Sequence, residues 1–179
     1  MKIIVSALLI STGIILLFLT GFLIWQRNSP ARLAFKVSEI KSAPKQVVLT
    51  DLRPVSILLP ASNIELPIIQ TELKDGKWLA TSKGVSYLIS SPIPGEVGNS
   101  VLYGHNWPNL LGKLPKVKPG EIISVKFSDG SIKNFPVQYT LIVTPDQTQI
   151  LNPTSDSRIT IYTCTGFLDN KRFVAVGIF

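Results

Sequence analysis

The 179-residue chain contains one cysteine and one histidine, Cys164 and His105. A single cysteine cannot form an intramolecular disulfide, so the sequence excludes a disulfide-stapled scaffold. Acidic side chains are also few, 11 against 18 lysines and arginines, and Asp146, Asp156 and Asp169 are scattered along the chain. A Ca²⁺ site needs about six to eight oxygen ligands, hence closer carboxylates. We therefore predict no metal site and no other cofactor.

Charge is missing altogether from residues 3–25. At about 1.5 Å per residue, a helix over this run is about 34 Å long, which is enough to cross a hydrocarbon core of about 30 Å. A cleaved signal peptide has a shorter apolar core, of about 7–15 residues, and a small-residue cleavage site that this sequence lacks. Trp25 is typical of an interfacial anchor. We predict that residues 1–25 form a transmembrane signal-anchor helix.

The positive charge is concentrated next to this helix. Residues 26–53 carry six basic and two acidic side chains, whereas residues 54–179 carry 11 and nine. Residues 26–53 are thus predicted to be a basic linker, with a helical turn or two around residues 31–40, that anionic lipid or wall polymer would attract. The remainder has no basic stripe interleaved with aromatic residues, so we expect no nucleic-acid binding.

Beyond the linker, short β-branched runs alternate with prolines and glycines, which favours a small β-barrel over a helical bundle. Residues 74–77 (KDGK) and 128–130 (SDG) are hairpin signals, and residues 84–90 predict a short helix. The predicted strands are residues 55–59, 64–73, 78–81, 100–105, 121–127, 132–143, 158–163 and 172–179.

Cys164 lies at the end of an alternating strand and is followed by Thr165 and Gly166, which stop it. Taken alone, a cysteine is usually an inert small apolar residue. A thiol at a strand end, however, faces the rim of a barrel, where it can meet a substrate. Because the thiolate is the nucleophile and a nearby positive charge lowers its pKa, we predict that Cys164 is a nucleophile.

His105 also ends a predicted strand, after Gly104, at the start of a loop. A lone histidine is more often a surface or packing residue. Its distance in sequence from Cys164 is no objection, because Cys/His partners meet in space. We predict that His105 gives a proton to a leaving amine and then acts as base for the incoming one.

Arg172 opens the last predicted strand, which we expect to run antiparallel to the strand of Cys164. The short connection, residues 165–171, then brings Arg172 beside the thiol. An isolated arginine is usually a solvated charge, but a guanidinium stays charged and offers several donors. That suits a carbonyl oxygen that becomes an oxyanion.

This constellation resembles the sortases, the membrane-anchored cysteine transpeptidases of bacterial surfaces. Residues 160–164 (TIYTC) match the family motif Thr-Leu-x-Thr-Cys except for isoleucine in place of leucine. Gly104-His105 resembles the family's Gly-His segment, Arg172 its later arginine, and residues 94–100 (PGEVGNS) its approach to the histidine strand. The resemblance covers residues 54–179, the predicted catalytic domain. The short cysteine-to-arginine connection resembles the compact D, E or F classes.

The resemblance implies a mainly all-β fold: an eight-stranded barrel with one or two short helices. It implies that Cys164 attacks a carbonyl inside a sorting signal similar to Leu-Pro-x-Thr-Gly. The acyl group then passes to an amine of cell-wall precursor or of another surface protein. Tyr103 and Thr163 are the predicted substrate-binding residues, and bulky Tyr103 indicates a deviating motif preference.

Alternative functions are a pilin-polymerising sortase, another membrane-anchored cysteine peptidase or hydrolase, and a non-enzymatic anchored β-domain. The surroundings of a papain-like cysteine are absent, as is the histidine that L,D-transpeptidases carry shortly before theirs. The resemblance places the catalytic domain on the extracellular face. The basic residues after the helix oppose this by the positive-inside rule, which weakens for long translocated domains.

Overall fold

The computed structural model describes residues 2–27, 52–74, 77–78 and 81–179. Helix α1 spans Lys2–Arg27. Its stretch Ile4–Gln26 has a mean hydropathy of 2.5 and packs against nothing in the described part of the chain, so its length and composition suit a membrane span. Thr12 and Thr20 donate their hydroxyls to the carbonyls of Leu8 and Leu16, which satisfies polar groups within the helix. The predicted turns at residues 31–40 lie outside the described residues.

Residues 54–178 form a closed barrel, as predicted. Its strands are β1 (Pro54–Leu59), β2 (Ile64–Thr71), β5 (Val85–Leu88), β6 (Gly98–Tyr103), β7 (Ile122–Phe127), β8 (Ile132–Val143), β9 (Ser157–Thr165) and β10 (Lys171–Ile178). Within the residues that the structure describes, two further strands, β3 (Leu73–Lys74) and β4 (Lys77–Trp78), pair only with each other. The barrel order is β1-β2-β5-β6-β9-β10-β8-β7, and β7 closes it on β1.

Two strand pairs in the barrel are parallel, β2 with β5 and β6 with β9, and the other six are antiparallel. Both predicted hairpins are confirmed, since β3 pairs with β4 and β7 with β8. The described part of the domain also contains four short 3₁₀ segments: Pro60–Ser62, Leu111–Lys116, Thr148–Leu151 and Phe167–Asp169.

Strand alternation divides the apolar side chains into two clusters. Inward-facing residues such as Ile161 and Ala175 fill the barrel. Because successive residues of a strand point to opposite faces, Tyr162, Cys164 and Val174 lie on the outer face instead. There they form a second buried cluster with Trp78 and others. This outer cluster, rather than the barrel interior, contains the cysteine.

The helix predicted at residues 84–90 is wrong. Val85–Leu88 is strand β5, and all four of its residues are buried. Its faces contact the inner and outer clusters respectively. A strand covered on both faces loses the polar/apolar alternation that identifies strands in sequence. The strand predicted at residues 64–73 is also interrupted, since β2 ends at Thr71 and Leu73 begins β3.

Candidate active site

The parallel pairing of β6 with β9 brings the histidine loop to the cysteine strand. Tyr103 lies opposite Tyr162, and the Gly104 amide donates to the Tyr162 carbonyl at 3.3 Å. The Thr163 hydroxyl donates to the Gly104 carbonyl at 2.8 Å and is buried. Thr163 therefore fixes the start of the histidine loop in this structure, and its contact with a substrate stays a prediction.

The antiparallel ladder of β9 and β10 sets Arg172 directly opposite Cys164. Residues that face each other in such a ladder have Cβ atoms about 4.5–5.5 Å apart on the same face. Arg172 is 1% exposed, and its Nη1 donates to the carbonyls of Asp169 at 2.8 Å and Lys171 at 2.9 Å. These bonds hold a permanent positive charge beside the thiol.

Aromatic rings cover the thiol. Cys164 is 0% exposed, so it does not face an open rim as the sequence suggested. The rings of Tyr103 and Tyr162 stack at 4.6 Å between centroids, and Trp78 packs on them at 5.6 and 5.8 Å. Cys164 lies two residues after Tyr162 on the same strand, so both side chains point to the outer face of the barrel. The aromatic rings on that face then bury the thiol.

Tyr103 makes a polar contact with the nucleophile. Its hydroxyl oxygen lies 3.9 Å from Cys164 Sγ. Burial, followed by the nearby Cys164 charge, raises the pKa of Tyr103 well above its usual value. Tyr103 therefore stays a neutral phenol near neutral pH and can donate to a thiolate.

His105 lies on the loop after β6. Its ring stacks on Trp107 at 4.3 Å and lies 6.4 Å from the Tyr103 ring, while its carbonyl accepts from the Leu111 amide at 3.0 Å. Burial lowers the pKa of His105 below its usual value, and the charge of Asp169 opposes this shift. Nδ1 has no hydrogen-bond partner among the described residues. The imidazole is thus largely neutral at pH 7 and suited to accept a proton.

Sequence reasoning missed several residues of the site, namely Trp78, Asn106, Trp107, Tyr162 and Asp169. Asp169 has the clearest signal, because it lies in the short connection between Cys164 and Arg172. Its Oδ1 accepts a hydrogen bond from Asn106 Nδ2 at 3.1 Å. Within the described ranges, no group of three or more His, Cys, Asp or Glu side chains could hold a metal ion.

The sequence is similar to those of several known proteins. A family model described as the sortase domain matches residues 57–178. Sortase A of Listeria monocytogenes is 27% identical over 165 residues, which cover 80% of this chain and 73% of that protein. Sortase A of Bacillus anthracis is 26% identical over 125 residues, or 68% of this chain. The match spans 57% of that relative's length.

Solved structures agree on the fold. The crystal structure of Listeria monocytogenes sortase A has a TM-score of 0.57 and 28% identity, over 69% of this chain and 84% of that one. A lid mutant of Corynebacterium diphtheriae sortase A has a TM-score of 0.62 and 21% identity, over 88% and 91%. Sortase C of Streptococcus pneumoniae has a TM-score of 0.61 and 22% identity, over 70% and 67%.

Proposed function

Because this chain belongs to the sortase family, we propose that it is a cysteine transpeptidase acting on a sorting signal similar to Leu-Pro-x-Thr-Gly. The carrying observation is the register that sets Arg172 opposite Cys164, with the His105 loop starting on the neighbouring parallel strand. Nucleophile, acid/base and oxyanion donor then come from three adjacent strands.

Acylation follows from these positions. Cys164 Sγ attacks the carbonyl carbon of the scissile bond, and His105 accepts the thiol proton. The Arg172 guanidinium and the Tyr103 hydroxyl stabilise the negative charge as it moves from sulfur to the carbonyl oxygen. The C–N bond breaks, His105 returns the proton to the leaving amine, and a thioester remains on Cys164.

Deacylation repeats these steps in reverse with a different amine. The incoming amine attacks the thioester carbonyl and gives its proton to His105, after which Cys164 leaves as a thiolate and recovers the proton. The acceptor is an amine of cell-wall precursor. A pilin amine is the second candidate, because the sortase C of Streptococcus pneumoniae, a protein of the same fold, is described with pilin substrate specificity.

The enzyme is anchored by α1, with its catalytic domain outside the cell, where secreted proteins and wall precursor are found. The test uses intact cells and a Cys164→Ala variant that carries Lys118→Cys at an exposed position of the barrel domain. A membrane-impermeant maleimide should label this variant without lysis. Labelling only after lysis, in cells whose wall admits the reagent, would place the domain in the cytoplasm.

The activity is tested with a chain truncated to residues 53–179, which keeps every barrel strand, and a library of Leu-Pro-x-Thr-Gly-like peptides. Given an amine acceptor, the truncated chain should join the amino-terminal peptide fragment to it. Cys164→Ala should abolish this exchange, and His105→Ala should lower its rate by about 10²–10⁴-fold. Exchange that survives Cys164→Ala would contradict the mechanism.

A further inference from the structure

The connection between β9 and β10 has an unfavourable backbone. Leu168 and Asp169 both have positive φ, 51° and 58°, a left-handed region that side chains other than glycine avoid and that Asp and Asn tolerate best. The consequence is a reversal of direction, with Phe167 81% exposed and Asp169 buried. Strain of this kind persists where surrounding contacts determine the conformation.

Those contacts join two parts of the site. The carboxylate of Asp169 accepts from Asn106, the neighbour of His105, at 3.1 Å. The backbone carbonyl of the same residue accepts from Arg172 Nη1 at 2.8 Å. One residue thus touches both the histidine loop and the guanidinium.

We propose that Asp169 is a positioning residue that ties the His105 loop to the Arg172 guanidinium and holds both against the Cys164 thiol. The effect of this positioning role on turnover rests on the proposed transpeptidase function. Its consequence for the imidazole and the loop does not, because both can be measured without a substrate.

The charge of Asp169 also acts on the imidazole. His105 is near ionisable groups from two elements: the ring of Tyr103 from β6 lies 6.4 Å away, and the charge of Asp169 from the connection acts on the imidazole. Cys164 and Arg172 lie opposite each other on the adjacent strands β9 and β10, and Leu111 contacts the loop through its backbone amide. Tyr103 stays protonated. The Asp169 charge counteracts the burial that lowers the pKa of His105, and so favours the protonated form that donates to the leaving amine.

The decisive variant is Asp169→Asn, which keeps tolerance of positive φ and an oxygen facing Asn106 but removes the charge. The matched control is Asp156→Asn, which removes a carboxylate paired with Arg158. The full chain, without a histidine tag and in detergent micelles, is labelled with ¹³C-histidine, so that its single imidazole titrates by NMR. We expect Asp169→Asn, and not Asp156→Asn, to lower the titration midpoint of His105.

The kinetic readout uses the same variants. Asp169→Asn should lower kcat by roughly tenfold, a part of the roughly 10²–10⁴-fold that a positioned acid/base supplies, with KM little changed. Asn106→Ala removes the side-chain amide that donates to the Asp169 carboxylate. The double variant should lose little more than either single variant, because the two residues act as one unit.

The outcomes separate the two proposals. An unshifted His105 midpoint in Asp169→Asn, or a loss of thermal stability alone, overturns the positioning role even if the wild type is fully active. The rate at which iodoacetamide alkylates Cys164 gives a readout that needs no sorting peptide. A shifted His105 midpoint, together with non-additive effects of Asp169→Asn and Asn106→Ala on this rate, supports the positioning role. If the same chain is inactive on every sorting peptide, the transpeptidase function is overturned.

Discussion

Arg172 and Cys164 face each other across the β9–β10 ladder, and the guanidinium is fixed by two carbonyls on its own side of that ladder. An arginine buried in this way leaves its charge without the screening that water provides. It acts on the two negative species of the reaction, the thiolate and the oxyanion.

This relationship predicts the behaviour of Arg172 variants. Arg172→Ala should lower kcat/KM by about 10²–10³-fold, as the loss of an oxyanion donor does elsewhere. Arg172→Lys should restore little of it, because an ammonium cannot bond two carbonyls and still present a planar donor edge. Peptide-exchange kinetics measure this, with Arg158→Ala as the control near the start of β9. Wild-type kcat/KM in Arg172→Ala would refute the role.

The histidine predicts a loss of stability in mild acid. The pKa of His105 is lowered in the folded state, so between its unfolded value of about 6.5 and its folded value the unfolded chain binds more protons. The free energy of unfolding therefore falls as pH drops through this window. Asp156, whose pKa is about 2, acts in the same direction but at lower pH.

Urea unfolding of residues 53–179 between pH 7.5 and 5.5 checks this. His105→Gln should unfold with a free energy that depends less on pH across that range. If the free energy of unfolding depends equally on pH in the wild type and in His105→Gln, burial of the imidazole does not cause the loss of stability in mild acid.

The aromatic cover predicts how the thiol reacts. Trp78 is 1% exposed and packs on both tyrosines beside Cys164. Trp78→Ala should remove roughly 3–5 kcal/mol of packing. If about 1.4 kcal/mol of that appears as easier local opening, iodoacetamide labels Cys164 about tenfold faster. The control is Phe135→Ala, which removes a large side chain from the inner cluster instead. If iodoacetamide labels Cys164 at equal rates in the Trp78→Ala variant and the wild type, Trp78 does not protect the thiol.

How far the sequence predicts this structure depends on which face a residue occupies. Local alternation and turn signals place Cys164 and Arg172 at strand ends and His105 just beyond one, so their strands could be predicted. The burial of Cys164 could not, because it depends on Trp78, which packs against the site from a distant part of the chain. Strand β5 could not be predicted for a related reason. Val85 and Leu88 contact different clusters, so both faces of the strand are buried and the alternation of polar and apolar residues is lost. Asp169 points inward only because its backbone adopts a positive φ, and no pattern in the sequence predicts that conformation.

The most direct test of the account is the mass of the protein itself during turnover. Residues 53–179 are mixed with a sorting-signal peptide without an amine acceptor, quenched in acid and weighed intact. We expect an adduct of the peptide's amino-terminal acyl fragment on Cys164, which hydroxylamine removes and Cys164→Ala lacks. Peptide cleavage with no adduct on the wild type, together with cleavage by Cys164→Ala, would contradict the central claim that Cys164 carries the acyl group.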